Sequence, residues 1–481
     1  MKLELEIPTK VNEIIREFKK AGFEIYIVGG AVRDILMNKI VYDWDFTTNA
    51  TPEKMLKLFP NAFYDNLFGT VGIPPETDTK RPYEITTFRT EYGYSDARRP
   101  DKIKWGKKLK EDLQRRDFTI NAMALQIVKT KKIKNQSQTN NYEQSSIQVE
   151  AKLIDLYEGK KDLDKKSIRA VGDPNERFSE DALRMMRAVR IASELGFTIE
   201  EKTFNAIRTN AFLINRISKE RVRDELIKIL ASPHPYEGTL LLKNCSLMNK
   251  ILPEMEMTFG IEQKSPGRHH IYDVGTHSLM SLKHVAERNT DPIVRFATLI
   301  HDIGKTQTYK KLENGTIIFY NHEIISAQVA KQIAKRLRLS NKQKDKLYKL
   351  VRYHMFSVDE RQTDSAIRRF IRKVGLENIP DILDLRIGDR LGGGARETSW
   401  RLEEFKKRLI EVQKQPFTTR DLKVNGYDVM KIFRIKPGPK VGYILNKILK
   451  EVVEKKLPNE RKTLLKWLNN LKDSNKTSNK Y

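Results

Sequence analysis

The stretch VGGAVRD at residues 28–34, followed by DWDF at residues 43–46, decides how the N-terminal part of this chain is expected to fold. The apolar segment Glu24–Val28 predicts a short strand that ends in a glycine pair, Gly29 and Gly30, after which a helix begins. Adjacent glycines let the backbone come close to phosphate groups, and the N-terminus of a helix offers unpaired N–H groups to an anion. A glycine pair can also mark only a tight turn, so its meaning depends on the residues that follow.

Two aspartates follow this turn. The segment Tyr42–Thr47 predicts a second strand, and because residues two apart on a strand point to the same face, Asp43 and Asp45 are expected to project together. Two close carboxylates repel each other unless a cation lies between them. Mg²⁺ is the expected cation, and two such ions would activate an attacking hydroxyl and stabilise a leaving pyrophosphate. A third strand, predicted at Pro82–Arg89, carries Glu84 as a third carboxylate.

The composition bounds the class of protein. The chain has 481 residues, enough for two to four domains at ~100–200 residues each. Lys and Arg number 90 against 63 Asp and Glu, a net charge of +27, which favours a polyanionic partner such as nucleic acid. A Lys-rich composition without such a partner would give the same excess. The sequence shows no signal peptide and no apolar run of ~20 residues, so we expect a cytoplasmic protein without a membrane segment. Cys245 is the single cysteine, and we expect it in the core rather than as a nucleophile.

Further motifs follow the two N-terminal segments in a fixed order. They are FGTV at residues 68–71, RRDFTINAMA at 115–124, DLYEG at 155–159 and EDALRMMRA at 180–188. The series resembles the signature of class II tRNA nucleotidyltransferases, members of the polymerase β superfamily, to which bacterial poly(A) polymerases also belong. The resemblance is close over residues 21–230 and looser to about residue 470.

The resemblance implies an α+β protein with a polymerase β-like α/β head, followed by an all-α neck, an HD body and a tail. We expect the head at residues 1–150, the neck at 151–245, the HD domain at 246–395 and a tRNA-binding helical tail at 396–475. The implied activity adds the 3′-terminal CCA to tRNA from CTP and ATP without a template, with Mg²⁺ as cofactor. The implied catalytic residues are Asp43, Asp45 and Glu84, the two aspartates being the metal ligands.

Selection of the base can be reasoned from two side chains. Cytosine and adenine both present an amino donor beside a ring-nitrogen acceptor, whereas uracil and guanine reverse both groups. A carboxylate only accepts and a guanidinium only donates, so an Asp with an Arg would select C and A. Asp181 and Arg184 lie three apart on one predicted helix and share a face. Their spacing alone would equally suit a surface ion pair, and it is the resemblance that assigns them to the base.

The resemblance also implies a role for other side chains around the nucleotide. Asp117 is expected to be the structural partner of a neighbouring Arg, and the segment 216–222 is expected to begin a structural helix. Arg98 and Arg99, in a segment similar to the family's flexible loop, stay open between a role and a plain basic loop. The further residues implied to bind the nucleotide are Gly29, Gly30, Arg33, Arg116, Asn121 and Arg187.

A second group of residues lies in the C-terminal half. An adjacent His-Asp pair on a buried helix is costly unless something binds both, and imidazole with carboxylate suits a divalent transition metal such as Mn²⁺, Ni²⁺ or Fe²⁺. The set resembles the HD phosphohydrolase pattern, which implies either a metal-dependent hydrolase or a degraded copy of that fold. The expected ligands are His277, His301, Asp302 and Asp389, with His322 and His354 where two-metal members have additional ligands.

Other functions stay as alternatives. A poly(A) polymerase of the same superfamily would carry an Arg-rich stretch where this chain has FGTVG at residues 68–72, with no Arg between Asp43 and Arg81. An enzyme that adds only CC or only A would share every motif. An HD phosphohydrolase with an RNA-binding N-terminal half is disfavoured because Asp43, Asp45, Asp181 and Arg184 are all present. The sequence does not determine the oligomeric state.

Overall fold

The structure is a computed structural model of the chain. It describes residues 1–64, 69–75, 81–92, 102–106, 108–131, 146–263, 271–356, 362–413, 419–454 and 456–477. Phe68, Arg98 and Arg99 of the motifs above lie outside the described residues. The chain divides into two compact units: residues 1–259 with 290–292 and 333–340, and residues 260–289 with 293–332 and 341–481.

The first unit contains an eight-stranded sheet in the order β1-β10-β9-β2-β3-β6-β5-β4. Among the described strands of this sheet, β3 and β6 form the one parallel pair. Strands β7 and β8 form a separate antiparallel ribbon, and two short strands of the neck, β11 and β12, pair in parallel. The strands are β1 (Lys2–Pro8), β2 (Ile25–Val28), β3 (Asp45–Thr48), β4 (Phe63–Tyr64), β5 (Thr70–Ile73), β6 (Tyr83–Thr87), β7 (Arg89–Tyr92), β8 (Lys102–Trp105), β9 (Met123–Thr130), β10 (Ser146–Asp155), β11 (Ser167–Ile168) and β12 (Thr198–Ile199).

The predicted strand at Tyr42–Thr47 is wrong at its start. Strand β3 begins at Asp45, and residues 41–44 have no regular structure, so Asp43 precedes the strand. The neighbouring strands explain this, because Asp45 pairs with Val28, the last residue of β2, and Gly29 then turns the chain away with φ +74°. The strands at β2 and β6 are confirmed, with alternate burial of Tyr83, Ile85 and Thr87.

Along the chain, helices alternate with the strands of this sheet, and further helices follow after β10. A 3₁₀ turn, Thr119–Asn121, precedes β9, and a second one, Ala211–Arg216, connects two neck helices. The helices are α1 (Thr9–Lys20), α2 (Gly30–Leu36), α3 (Pro52–Leu58), α4 (Leu109–Gln114), α5 (Gly159–Asp164), α6 (Pro174–Glu180), α7 (Leu183–Leu195), α8 (Glu201–Asn210), α9 (Lys219–Ala231), α10 (Pro235–Asn244), α11 (Leu247–Ile251) and α12 (Pro253–Glu256).

The expectation that Asp181 and Arg184 share one helix is also wrong. Helix α6 ends at Glu180, Asp181 is extended with φ −142°, and α7 begins at Leu183. The side chain of Asp181 accepts a hydrogen bond from the backbone N–H of Leu183 at 3.0 Å. An Asp before a helix commonly satisfies its free N–H groups in this way, which explains the break.

Among the described residues after α12, the regular structure is helical apart from one hairpin. Its strands flank the predicted Asn314-Gly315 turn, where Gly315 has φ +77°. A 3₁₀ turn, Leu376–Asn378, precedes α19. The elements are α13 (Val274–Ala286), α14 (Pro292–Ile300), α15 (Lys305–Thr308), β13 (Lys310–Lys311), β14 (Ile317–Ile318), α16 (His322–Arg336), α17 (Asn341–Tyr353), α18 (Asp364–Val374), α19 (Ile379–Gly392), α20 (Trp400–Gln413), α21 (Gly426–Phe433), α22 (Pro439–Val453) and α23 (Arg461–Thr477).

Two details of this region matter for function. His301 and Asp302 were predicted on a buried helix, but they lie in the turn directly after α14. The last three helices have a core of their own, which includes Val424, Val429 and Ile448.

None of the helices in the described part of the chain is both long enough and apolar enough to cross a bilayer.

Candidate functional site

An open cavity of about 350 Å³ lies in the first unit, where the sheet approaches the neck helices. Both carboxylates and guanidinium groups line it, with Asp45 and Glu84 on the sheet and Arg184, Arg187 and Arg221 on helices α7 and α9. The cavity brings together predicted residues from three motifs and the third strand. Its charged lining residues are Asp45, Glu84, Arg89, Arg115, Arg116, Asp117, Asp181, Arg184, Arg187 and Arg221.

The carboxylates sit at the start of two parallel strands. Asp45 on β3 and Glu84 on β6 are partners in the ladder, so the register fixes their separation. Burial raises the pKa of the Asp45 carboxyl, Asp43 raises it further, and Arg116 and Arg81 oppose both effects. Burial and a neighbouring like charge both disfavour the ionised form, and a bound divalent cation would stabilise it. This donor set therefore fits a hard cation such as Mg²⁺.

Asp43 is placed differently from Asp45. It is not among the residues that line the cavity, and its side chain is 49% exposed. Its Oδ2 accepts a hydrogen bond from Nη1 of Arg81 at 2.7 Å, and the Arg81 side chain is 78% exposed. The two predicted metal ligands therefore differ in environment, since Asp45 is partly buried at the cavity and Asp43 is exposed.

Gly29 is required by the close approach of two functional side chains. A Cβ atom at this position would lie 3.2 Å from Nη1 of Arg116 and 3.2 Å from Oδ2 of Asp45. Gly29 also has φ +74° and ψ −142°, a backbone conformation that is nearly restricted to glycine. The glycine thus lets the Arg116 guanidinium and the Asp45 carboxylate converge on the same turn.

A chain of hydrogen bonds connects this turn with helix α7. Arg33 donates from Nε to Asp34 Oδ1 at 2.9 Å and from Nη1 to Asn121 Oδ1 at 3.0 Å. Asn121 donates to Asp117 at 3.4 Å, and Asp117 accepts from Nε of Arg187 at 2.8 Å. Burial alone would raise the pKa of Asp117, but the charge of Arg187 lowers it to about 2. Asp117 has an Arg as its structural partner, but the expectation of a neighbouring Arg is wrong, because Arg187 lies 70 residues away and Arg115 and Arg116 bind Asp112.

The two side chains predicted to read the base are both held by protein groups. Arg221 donates from Nη2 to Asp181 Oδ2 at 2.8 Å. Arg184 forms an ion pair with Glu180 and donates from Nη2 to the backbone oxygen of Arg115 at 3.1 Å. The side chains of Asp181 and Arg184 both line the same cavity. The hydrogen bonds and the ion pair described above fix their orientation there.

Two functional residues were missed by sequence reasoning. Arg221 received only a structural role, because nothing local in the sequence connects it with Asp181. Asp112 is fully buried and binds both Arg115 and Arg116, whose charges lower its pKa against the effect of burial. Its spacing of three and four residues from two arginines directly after the short helix α4 was the available signal.

A second cluster lies in the other unit, around the buried carboxylate of Asp302. Its Oδ2 lies 3.5 Å from Nε2 of His277 and 3.3 Å from Nε2 of His301. Its Oδ1 lies 3.2 Å from Nε2 of His322 and 3.6 Å from Nε2 of His354. The four imidazoles therefore divide into two pairs, one at each oxygen of the same carboxylate.

Asp389 completes the first pair. Its Oδ1 lies 3.1 Å from Nε2 of His277 and 3.6 Å from Nε2 of His301. Helices α13 and α19 can approach so closely because Gly388 and Gly392 face Val285 and Ser281, where a Cβ would clash. All six residues predicted as ligands are thus brought to one place.

The ring orientation of three histidines is fixed by hydrogen bonds at Nδ1, the ring nitrogen that does not face Asp302. Nδ1 of His301, His322 and His354 lies 2.7–2.8 Å from a backbone oxygen, which only accepts, so Nδ1 carries the proton. The Nε2 atoms of these three rings make no hydrogen bond within the described residues. Buried nitrogens that face a carboxylate in this way are typical metal ligands.

The electrostatics of the cluster favour a bound cation. Burial would lower the pKa of His301, but Asp302 and Asp389 raise it to about 10. The pKa of Asp302 is held well below its ordinary value by His301 and Lys305, against the effect of burial. Lys305 contacts Oδ2 of Asp302 at 2.6 Å and Gln263 at 2.6 Å. The ligand types and their burial fit a divalent transition metal.

Cys245 is buried, and burial raises the pKa of its thiol to about 12. Its predicted place in the core is confirmed, and a thiol with this pKa is a poor nucleophile.

Comparisons with known proteins agree with the motif series. Three family models match the chain: "Poly A polymerase head domain" over residues 25–169, "Probable RNA and SrmB-binding site of polymerase A" over 196–258, and "tRNA nucleotidyltransferase domain 2 putative" over 313–468. A CCA-adding enzyme of Ligilactobacillus salivarius is 32% identical over 473 residues, which cover 95% of each protein. One of Pediococcus pentosaceus is 31% identical over 463 residues, covering 95% of this chain and 96% of that protein.

Solved structures give the same result. The crystal structure of the Bacillus stearothermophilus CCA-adding enzyme in complex with CTP matches with a TM-score of 0.65 at 27% identity, covering 97% of this chain and 98% of that one. The Thermotoga maritima CCA-adding enzyme complexed with tRNA matches with a TM-score of 0.56 at 20% identity, covering 96% of this chain and 95% of that one. The second match shows similarity of fold alone.

Proposed function

Since the chain belongs to the family of CCA-adding enzymes, we propose that its N-terminal cavity is the site at which the 3′-terminal CCA of tRNA is built. The enzyme uses CTP and ATP, binds tRNA, and adds nucleotides without a nucleic-acid template. One observation carries the proposal for the site. The carboxylates of Asp45 and Glu84 share a single cavity with Asp181 and Arg184, so chemistry and choice of base can act on the same nucleotide.

The reaction is a direct displacement. The 3′-hydroxyl oxygen of the RNA forms a bond to the α-phosphorus of the incoming nucleotide, the bond from that phosphorus to the β-phosphate oxygen breaks, and pyrophosphate leaves. We propose that Asp43 and Asp45 hold the divalent cations that this family uses, with Mg²⁺ as the ion and Glu84 as a third carboxylate. When bound, such ions lower the pKa of the attacking hydroxyl and stabilise the charge on the leaving group.

The residues of the glycine turn are proposed to bind the triphosphate. Gly29 and Gly30 permit close approach of the backbone, and Arg116 offers a planar, permanently charged donor beside Asp45. Arg33 and Asn121 are bonded to each other at 3.0 Å, and this bond ties the turn to the segment that carries Arg116. The triphosphate would thus be oriented by groups whose positions depend on one another.

The choice of base is proposed to depend on Asp181 and Arg184. The carboxylate accepts from the amino group of C or A, and the guanidinium donates to the adjacent ring nitrogen. Uracil and guanine would leave both groups facing a partner of their own kind, at about 1–3 kcal/mol for each unpaired group. Arg187, bound to Asp117, places helix α7 relative to the phosphate-binding residues.

We retain the division into a head at residues 1–150, a neck at 151–245, an HD domain at 246–395 and a tRNA-binding tail at 396–475 as a proposal. Within the proposed tail the last three helices have a separate core, whereas Phe405 of α20 packs against Phe356 and Phe370 of the preceding region. A tRNA substrate also makes the cytoplasm the proposed place of action.

A second function is proposed for the cluster around Asp302. Its two pairs of imidazoles, one near each oxygen of the Asp302 carboxylate, could hold divalent transition-metal ions. Metal ions in such a site activate water, so the proposed reaction is hydrolysis of a phosphate ester. Metal analysis of the purified protein, with hydrolysis of a 2′,3′-cyclic nucleotide, tests this. A metal content that is the same in His301→Ala as in the wild type would refute the site.

The main proposal is tested by two variants in one assay. Asp45→Asn is expected to abolish extension of a tRNA transcript that lacks CCA while the protein still binds that transcript. His301→Ala is expected to keep extension. Loss of extension in the second variant and its retention in the first would overturn the assignment of the N-terminal cavity.

A further inference from the structure

Arg81 is a cation at the catalytic carboxylates that neither the motif series nor the proposed mechanism uses. It precedes strand β6, three residues before Glu84, and its Nη1 lies 2.7 Å from Oδ2 of Asp43. Its positive charge also acts on Asp45, whose pKa it lowers against the effect of burial. The positive charge of Arg81 therefore lies in the negative electrostatic potential of Asp43 and Asp45.

This ion pair has little value for stability. Exposed pairs of this kind contribute about 0–1 kcal/mol, because water screens the charges and two long side chains lose freedom. The Arg81 side chain is 78% exposed and can leave Asp43 without breaking any packing in the core. Breaking this ion pair costs little free energy, and the pair uses an oxygen of a predicted metal ligand. It is therefore better suited to be exchanged for another partner than to support the fold.

We propose that Arg81 is an internal competitor of the catalytic divalent cation for Asp43, and that it moves from Asp43 to the triphosphate when the metal–nucleotide complex binds. One guanidinium then serves two anions in turn. Before binding, it neutralises the exposed carboxylate. During binding, the cation takes Asp43 and the released guanidinium meets the triphosphate that arrives with it, where a planar donor forms strong bonds to phosphate oxygens.

The exchange has consequences of opposite sign for the two ligands. Removal of Arg81 frees Asp43 and also removes a positive charge near the cation, so a divalent metal alone should bind more tightly. The same change deletes a donor to the triphosphate, so the nucleotide should bind less tightly. A residue that merely supports the structure would weaken both, and the difference in sign separates the two explanations.

This inference rests on the proposed role of Asp43 as a metal ligand, and the test keeps the two claims apart. Mn²⁺ binding to the full-length protein is titrated by electron paramagnetic resonance, and the site of interest is the one that Asp43→Asn removes. The cluster around Asp302 is present in every variant, so its contribution is common to all titrations. Absence of any Asp43-dependent Mn²⁺ site would refute the proposed function itself.

In Arg81→Ala we expect the Asp43-dependent Kd for Mn²⁺ to fall about five-fold, the upper end for an exposed ion pair. We expect the Kd for CTP, measured with Mg²⁺ present, to rise about five-fold. Arg81→Lys should lie between Arg81→Ala and the wild type, because it keeps the charge and loses the planar fork. The matched control is Arg338→Ala, since Arg338 is a similarly exposed partner of Glu220 elsewhere in the same unit.

The outcome is decided by the pair of constants. Tighter Mn²⁺ and weaker CTP in Arg81→Ala, with both constants unchanged in Arg338→Ala, supports the exchange. An unchanged or weaker Mn²⁺ constant in Arg81→Ala overturns it. An unchanged CTP constant, or a change only in the KM for the tRNA transcript, also overturns it, because the released guanidinium would then not meet the triphosphate.

Discussion

Substitution of Gly29 by alanine should damage catalysis far more than it damages the fold. The new Cβ would lie 3.2 Å from both Nη1 of Arg116 and Oδ2 of Asp45, so at least one of them must move by a few tenths of an ångström. The backbone at φ +74° and ψ −142° adds strain of about 1–3 kcal/mol for a residue with a side chain. Because small displacements of reacting groups are costly, we expect kcat to fall about ten- to hundred-fold.

The control for this prediction is Gly22→Ala. Gly22 has a similar φ of +79°, but a Cβ there would meet nothing within 4 Å. We expect both variants to lose free energy of unfolding, measured by chemical denaturation, and only Gly29→Ala to lose kcat in single-nucleotide extension. Equal losses of kcat in the two variants, or wild-type kcat in Gly29→Ala, would show that convergence of Arg116 and Asp45 on this turn has no catalytic importance.

Three further predictions concern other parts of the two sites. Arg221→Ala should reduce the preference for CTP over UTP about ten-fold by freeing Asp181, with partial recovery in Arg221→Lys; an unchanged preference in a misincorporation assay would limit Arg221 to structure. Asp117→Asn should lower the free energy of unfolding by about 2 kcal/mol at pH 7, since the pKa of Asp117 in the folded protein is about 2. A carboxyl whose pKa is lowered by folding stabilises the protein at pH values above its unfolded-state pKa, and this contribution is lost as the carboxyl is protonated. The difference between variant and wild type should therefore vanish as the pH falls from about 4 towards 2, and a constant difference would contradict this. His301→Ala should remove the transition metal from the Asp302 cluster, measured by elemental analysis, with CCA addition retained.

The sequence predicted the members of both sites better than their local structure. Asp45, Glu84, Asp181 and Arg184 come from three separate segments and do share one cavity. The start of strand β3 was predicted too early because the end of a strand depends on its partners, and β2 stops at Val28. The local sequence around Asp43 does not indicate where β2 ends, so it could not predict where β3 begins.

The helix at Asp181 shows a second limit. Spacing by three residues suggested one continuous helix, but the Asp side chain competes with the helix for the N–H of Leu183. The residues that orient the site were harder still to predict. Arg221 lies 40 residues from Asp181 and Arg187 lies 70 from Asp117, and no periodic pattern connects partners at such distances.

The histidine cluster could be predicted as a set and not as an arrangement. All six ligand candidates converge, yet the division of four imidazoles between the two oxygens of Asp302 depends on helices α13 and α19 coming together at Gly388 and Gly392. Two glycines spaced by four residues were the sequence signal for that close approach, and their role is evident only beside Ser281 and Val285.

The central claim is that one N-terminal cavity chooses and joins the three nucleotides of CCA. The most direct measurement is extension of tRNA transcripts that end before CCA, after one C and after CC, each with one labelled nucleotide at a time and Mg²⁺. The account predicts C, then C, then A, followed by a stop, and no product with UTP or GTP. Untemplated A tails on any RNA, or A added only to the transcript that ends in CC, would contradict it.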